Sequence, residues 1–213
     1  MEPNVIHTTN FIGSLKAHRY RSMLDYLSNI NCENILEIGT HQGDTASELI
    51  KYSKNKNINY YGVDVFLEGW SEEIEKAEQS IKPNNLKTVE DKLKRITNNV
   101  YLFQGLSINV LPEIKKTGVK FDLIWIDGGH SYNTVKIDFE NSIEMLIDGG
   151  VIFFDDYTTE PSYPPNNPIP LGVKPYIDDL IKENKYDIEI LNDYVDEYRG
   201  HHYKIVRVKN KTK

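Results

Sequence analysis

Apolar residues along this chain fall into two patterns: short runs that are nearly unbroken, and longer stretches in which they return every three or four positions. The runs are NILEIGT at 34–40, NYYGVDVF at 59–66, VYLFQG at 100–105, FDLIWID at 121–127 and GVIFFDD at 150–156, each rich in β-branched or aromatic residues. Continuous apolarity suits strands covered on both faces, so the alternation predicts a parallel sheet flanked by helices. Between the fourth and fifth runs, Tyr132, Val135, Phe139, Ile143 and Leu146 share one helical face, and Gly149 and Gly150 are expected to end that helix.

After the fifth run the order changes. A helix-like GVKPYIDDLIKEN precedes YDIEIL and HYKIVRVK, two strands too close together for a crossover helix and therefore expected to pair antiparallel. Residues 14–29 read as an amphipathic helix. The stretch from Trp70 to Asn99 reads as two charged helices broken at Pro83, next to the carboxyl edge of the sheet and so a candidate lid. Residues 158–172 hold five of the nine prolines directly after an acidic pair, and a long prolyl loop inside a compact domain is more often functional than a spacer. With no internal repeat, the 213 residues read as one domain: an N-terminal helical segment (1–32), a helical insertion (about 67–99) and the proline-rich loop (158–172) on a single α/β sheet.

Composition narrows the partners. A formal net charge of -7 argues against a nucleic-acid backbone. No apolar run approaches the roughly 18 residues of a membrane span, and the first ten residues lack the order of a secretory signal, so a soluble, cytoplasmic protein is expected. The single cysteine, Cys32, excludes an intrachain disulfide and is given no role.

The first run leads into a turn that reads Glu37-x-Gly39-x-x-x-Gly43 and opens a helix. Glycines there permit positive φ and close approach of a ligand to the backbone, and the helix N-terminus favours anionic groups. A dinucleotide fingerprint would place its middle glycine where His41 stands, so NAD and FAD are disfavoured. The second run ends at Asp64, about twenty residues on, where an acid can accept hydrogen bonds from ribose hydroxyls.

Neighbouring parallel strands bring their carboxyl ends to one edge, so Asp127 should meet Asp155 and Asp156. Three carboxylates there would repel one another, and a hard divalent cation such as Mg²⁺ resolves the repulsion. Asp127-Gly128 is also a hairpin signal, but a helix follows it rather than a partner strand.

The glycine turn, Asp64 and the strand order resemble a class I S-adenosylmethionine-dependent methyltransferase over residues of about 33–209. The stretches IDGGHSY and FFDDY resemble the metal-dependent macrocin and mycinamicin type of sugar O-methyltransferase. The resemblance implies a Rossmann-like, doubly wound sheet of about seven strands, mostly parallel with a C-terminal antiparallel pair. It implies that Gly39, Thr40 and Gly43 line the methionine part of S-adenosylmethionine, that Glu37 orients that turn or its ligand, and that Asp64 and Val65 take the ribose. Gly105 and Ser107 would flank adenine, where many members carry an acid and this chain has Leu106 and Ser107. It further implies Mg²⁺ on Asp127, Asp155 and Asp156, with Asp127 at the meeting of cofactor and acceptor and His130 as general base. The expected reaction is methylation of a hydroxyl on a small, carbohydrate-containing acceptor, and the chain is open to homo-oligomerisation. Two alternatives stay open: a metal-independent methyltransferase, N- or O-directed, whose acids bind a cationic substrate, and a cofactor-binding module without catalysis.

Overall fold

A computed structural model describes residues 19–78, 82–158, 171–196 and 201–211, with side chains of 192–202 left aside. In chain order the elements are α1 (Arg21–Asn29), β1 (Asn34–Ile38), α2 (Asp44–Tyr52), β2 (Asn59–Asp64), α3 (Phe66–Gly69), α4 (Glu72–Glu78), α5 (Leu86–Lys94), β3 (Val100–Gln104), α6 (Ser107–Lys116), β4 (Phe121–Ile126), α7 (Tyr132–Ile143), β5 (Leu146–Tyr157), α8 (Val173–Glu183), β6 (Tyr186–Asp196) and β7 (His201–Asn210).

The seven strands lie in the order β3-β2-β1-β4-β5-β7-β6, parallel from β3 to β5, with β7 antiparallel to both β5 and β6. This is the doubly wound sheet with the late antiparallel pair that the apolar runs predict. The period-two alternation of a strand divides its residues between two cores. Leu36, Ile38, Ile124, Ile126, Ile152 and Phe154 face one layer, with Leu111, Ile114, Val135, Phe139, Ile177 and Leu180 of α6, α7 and α8. Ile35, Leu123, Trp125, Val151 and Phe153 face the other, with Met23, Leu24, Leu27, Leu49, Val89 and Leu93 of α1, α2 and α5. Burial on both faces is why these strands read as unbroken apolar runs.

Several expectations need correction. The helix α7 stops at Ile143 without the two glycines; Leu146, Gly149 and Gly150 belong to β5. There the register jumps from Phe121↔Leu146 to Leu123↔Val151, and Gly149, with φ of +79°, serves the irregularity rather than a helix stop. Tyr132 is exposed at the start of α7, edge-on to Tyr176. The charged stretch does form two helices, α4 and α5, on either side of Pro83. Of the N-terminal helix, the described part is α1; residues 159–170 of the prolyl loop lie outside the described residues. Cys32 is buried, with its thiol pushed well up by that burial. Among the described residues no helix is long and apolar enough to cross a membrane.

Strand order reverses between β1 and β4, so the crossovers leaving these two strands go to opposite faces and open a crevice at their carboxyl ends. The predicted chemistry sits on that crevice.

Candidate active site

The first wall is the turn after β1. Gly39 has φ of +95°, and a Cβ there would lie 1.9 Å from the carbonyl oxygen of Asp127. The turn thus packs backbone against backbone on the end of β4, where the Asp127 N–H donates to the Ile38 carbonyl at 2.9 Å. His41 also has positive φ, +50°, and its N–H donates to Asp64 Oδ2 at 2.8 Å, while Asp64 Oδ1 accepts from Phe66 N–H at 2.8 Å. Burial raises the Asp64 carboxyl, and these backbone donors oppose the rise. Asp64 therefore ties the glycine turn after β1 to the end of β2 as well as lining the crevice. Glu37 is fully buried behind the turn, where it accepts from the Tyr60 hydroxyl. Gly43 likewise stands behind, as the left-handed residue before α2.

Gly39, Thr40, Asp64, Val65, Gly105, Ser107, Asp127, His130, Asp155 and Asp156 all line one cleft of about 640 Å³. That size suits a cofactor-sized molecule. Trp70, Ile74 and Glu78 of the charged insertion close one side of it. Glu78 fixes α4 to the start of α7: its carboxylate accepts from Ser131 N–H at 3.0 Å and Thr134 Oγ1 at 2.8 Å, and its carbonyl accepts from His130 N–H at 3.2 Å. From the opposite side, Gly172 N–H donates to the His130 carbonyl at 2.7 Å. The backbone of His130 is thereby held between the insertion and the segment that leads into α8.

The second wall is acidic. Consecutive strand residues normally point to opposite faces, yet Asp155 and Asp156 both reach the crevice. The register of β5 against β7 shifts between Phe154 and Tyr157, and Asp156 has φ of +57°, a conformation that aspartate tolerates better than most residues. The bulge turns both carboxylates inward. Ligand atoms of Asp127, His130 and Asp156 come within 4.8 Å of one another, and His130 Nε2 lies 3.0 Å from Asp156 Oδ2. Asp155 is turned to Arg19, whose Nη2 lies 2.7 Å from Asp155 Oδ1 and also pairs with Asp156. Arg19 was not among the residues expected here; it arrives because Tyr20 packs edge-on against Trp125 and α1 lies on β4 and β5.

Charge in this corner is out of balance. Three carboxylates share one guanidinium and one imidazole. Burial works against the charged form of Asp156, but Arg19 and His130 overcome it and hold Asp156 well below the carboxylate range. Asp127 carries the deficit: burial, then the charges of Asp155 and Asp156, push its carboxyl well up. Burial pulls His130 down, yet Asp156, Asp155 and Glu78 together raise it above an ordinary histidine. A convergent, partly buried donor set short of positive charge is what a divalent cation fits.

One further acid escaped the sequence reading. Asp138 on α7 is fully buried, no close hydrogen bond satisfies its carboxyl oxygens, and Oδ2 would stand 3.5 Å from a Cβ on Gly128. Its position three residues after Val135 and one before Phe139 placed it on the apolar face, which was the available signal. Burial pushes its carboxyl from 3.8 up to about 7, with the Ser107 side chain opposing and Glu78 adding to the rise. The folded state then binds a proton that the unfolded state has lost, so stability falls as pH rises from about 4 to about 7 and levels off above. Asp138→Asn is expected to be more stable than the parent at pH 8, by a few kcal/mol at most and so with a higher melting temperature, and to match it near pH 4. Equal melting shifts at both pH values would contradict this.

Comparison with known proteins places the chain in a family. Residues 36–157 match the methyltransferase domain family, a span that runs from the glycine turn to the end of the acidic strand. The chain belongs to that family. An uncharacterized protein, R132, of Acanthamoeba polyphaga mimivirus is 31% identical over 144 residues, 66% of this chain, and the match spans 60% of that protein's length. Among solved structures, an O-methyltransferase from Bacillus cereus in complex with SAH superposes with a TM-score of 0.66 at 18% identity, covering 95% of this methyltransferase and 84% of that chain. The O-methyltransferase TomG from Streptomyces achromogenes, in complex with SAM, gives 0.65 at 14% identity over 96% and 93%. The N-methyltransferase NodS from Bradyrhizobium japonicum gives 0.63 at 16% identity over 94% and 99%. At these identities the likeness is one of fold, shared by proteins named as O- and as N-methyltransferases.

Proposed function

We propose that this methyltransferase transfers the methyl group of S-adenosylmethionine to a hydroxyl of a small acceptor, a sugar or glycosylated metabolite, with Mg²⁺ bound at the acidic corner. The single observation that carries the reading is the position of Asp127. Its backbone is packed on the cofactor turn through Ile38 and Gly39, while its carboxyl joins His130 and Asp156 on the other side. One residue thus joins a cofactor half and an acid-base half of one cleft.

The chain's residues divide the work. The N–H-rich turn at Gly39 to Gly43 and the start of α2 receive the methionine end of the cofactor. Asp64, already fixed by two backbone donors, offers its remaining lone pairs to the ribose, and Gly105 and Ser107 border the adenine end. Glu37 acts at one remove, through Tyr60, as a positioning residue for the turn.

Asp127 and Asp156, with Asp155 beside them, would hold Mg²⁺, which when bound supplies a Lewis acid that lowers the acceptor hydroxyl's pKa and fixes its direction. His130 takes the proton. Its Nδ1 is enclosed and Nε2–H donates to the Asp156 carboxylate, so His130 acts as a base at Nε2 only after that proton has left. Pinning of the His130 backbone by Glu78 and Gly172 keeps that nitrogen at the acidic corner. The clustering of three carboxylates at one sheet edge favours a hydroxyl acceptor activated by a cation over a nitrogen acceptor, which needs no such activation.

Calorimetric titration with S-adenosylhomocysteine tests the cofactor part directly. Micromolar binding is expected, weakened about tenfold or more by Asp64→Ala through loss of charge-assisted hydrogen bonds. Absence of binding at millimolar ligand would reject S-adenosylmethionine as the donor.

A further inference from the structure

The guanidinium of Arg19 is bound by two of the three acids that would hold a cation, Asp155 and Asp156. Its Nε donates to Asp155 Oδ1 at 3.1 Å, and Nη2 bridges Asp155 and Asp156. The group lies over the ring of Tyr203 at 4.7 Å and is itself only 22% exposed, against carboxylates 2% and 14% exposed. This is an enclosed, doubly bonded site rather than a surface ion pair. Both Oδ1 atoms of the acidic pair are in use, Asp155 Oδ2 is buried without a hydrogen-bond partner, and the ligand atoms that converge are those of Asp127, His130 and Asp156.

We infer that Arg19 is an internal competitor for the divalent cation: it holds Asp155 and Asp156 in the metal-free enzyme and gives up Asp155 when the three acids bind the ion. The inference rests on the metal reading above. An arginine cannot shed its charge, so Arg19 does not release the acids by losing a proton. Two cations sharing Asp156 at a few ångströms repel strongly in a partly buried site. Nor can Arg19 drift away freely, because Tyr20 beside it is packed on Trp125 and Met23, Leu24 and Leu27 anchor α1 in the core. The consequences are two. The metal-free acids are kept paired and folded, and the divalent ion binds more weakly than three carboxylates alone would bind it.

The test is a Mn²⁺ titration of the full chain with S-adenosylhomocysteine present, reading free Mn²⁺ by electron paramagnetic resonance, for the parent, Arg19→Gln and Arg19→Lys. We expect Arg19→Gln to bind Mn²⁺ at least tenfold tighter, and Arg19→Lys, a point charge that cannot bridge both acids, to fall between. Without metal, Arg19→Gln should melt below the parent and regain more of its melting temperature on adding Mn²⁺. Should the glutamine variant fail to fold, the lysine variant decides by the same comparison. Unchanged or weaker Mn²⁺ affinity in a variant that still binds S-adenosylhomocysteine overturns the competition. Absence of Mn²⁺ binding in every variant, with S-adenosylhomocysteine still bound, overturns the metal reading and the competition with it.

Discussion

Asp156→Asn is expected to lower kcat by about 10²–10⁴-fold while changing the affinity for S-adenosylhomocysteine by less than about threefold. Asp156 is the residue on which the acidic corner converges. It pairs with Arg19, bonds His130, and shares with Asp127 the only group of convergent metal-ligating side chains found among the described residues. Asparagine tolerates the left-handed backbone at this position as well as aspartate does, so the bulge should survive. What is lost is the charge: a neutral amide holds a hard cation poorly and no longer orients an imidazolium. Because the cofactor turn lies on β1 and β2, on the other side of β4, its affinity should be nearly indifferent. The split between turnover and cofactor binding is checked by steady-state kinetics beside calorimetry. A variant with parental kcat would remove both the cation and His130 from the chemistry.

The second large effect is expected at Gly39. An alanine there puts a Cβ 1.9 Å from the Asp127 carbonyl oxygen, and backbone cannot step aside as a side chain can. The φ of +95° adds strain for any residue with a Cβ. Overpacking and strain together should cost about 3 kcal/mol or more, a fall in melting temperature of roughly 6–12 °C at this chain length. Cofactor binding should fall with it, since the turn must part from β4. Gly43→Ala is the control: its Cβ would meet side chains alone, a Val89 methyl at 3.0 Å and Leu93 at 3.6 Å, so a milder loss, near 1 kcal/mol, is expected. Equal melting of the Gly39 and Gly43 variants would show that the close approach to Asp127 does not bear on the turn.

The sheet was legible because each central strand is buried on both faces, leaving runs such as FDLIWI with a polar residue only at its second position, Asp122, whose carboxylate accepts from the Asn34 N–H at 2.9 Å near the opposite end of the strand. The carboxyl-edge residues were legible for a related reason: where an apolar run ends in Asp or Gly, the strand has reached solvent or a ligand. Local pattern failed where geometry depends on distant partners. Arg19 reaches Asp155 across 136 residues, and nothing around Arg19 in the sequence announces it. Glu78 looked like one of many charges on a solvated helix, and its task of holding the start of α7 is visible only once α4 is placed beside it. Gly149 and Gly150 looked like a helix stop, but the chain had already turned at Glu144 and Met145, and the glycines serve a strand irregularity instead. Asp138 and Ser142 were readable in principle, as polar residues at the spacing of the buried face of α7.

Placement of Asp155 shows how the two kinds of information differ. Sequence order puts it beside Asp156 and opposite Asp127, and the structure agrees. Its carboxylate, however, accepts from Arg19, a residue from the far end of the sequence.

The central claim is that one cleft combines S-adenosylmethionine with a cation-activated hydroxyl. Its most direct test is transfer of labelled methyl from S-adenosylmethionine to a panel of sugars and glycosylated small molecules, run with EDTA and then with Mg²⁺ restored. The account predicts label in a hydroxylated acceptor, loss of transfer by at least about 10²-fold in EDTA, and recovery on adding Mg²⁺. Transfer undiminished by EDTA, or label found only on nitrogen, would contradict it.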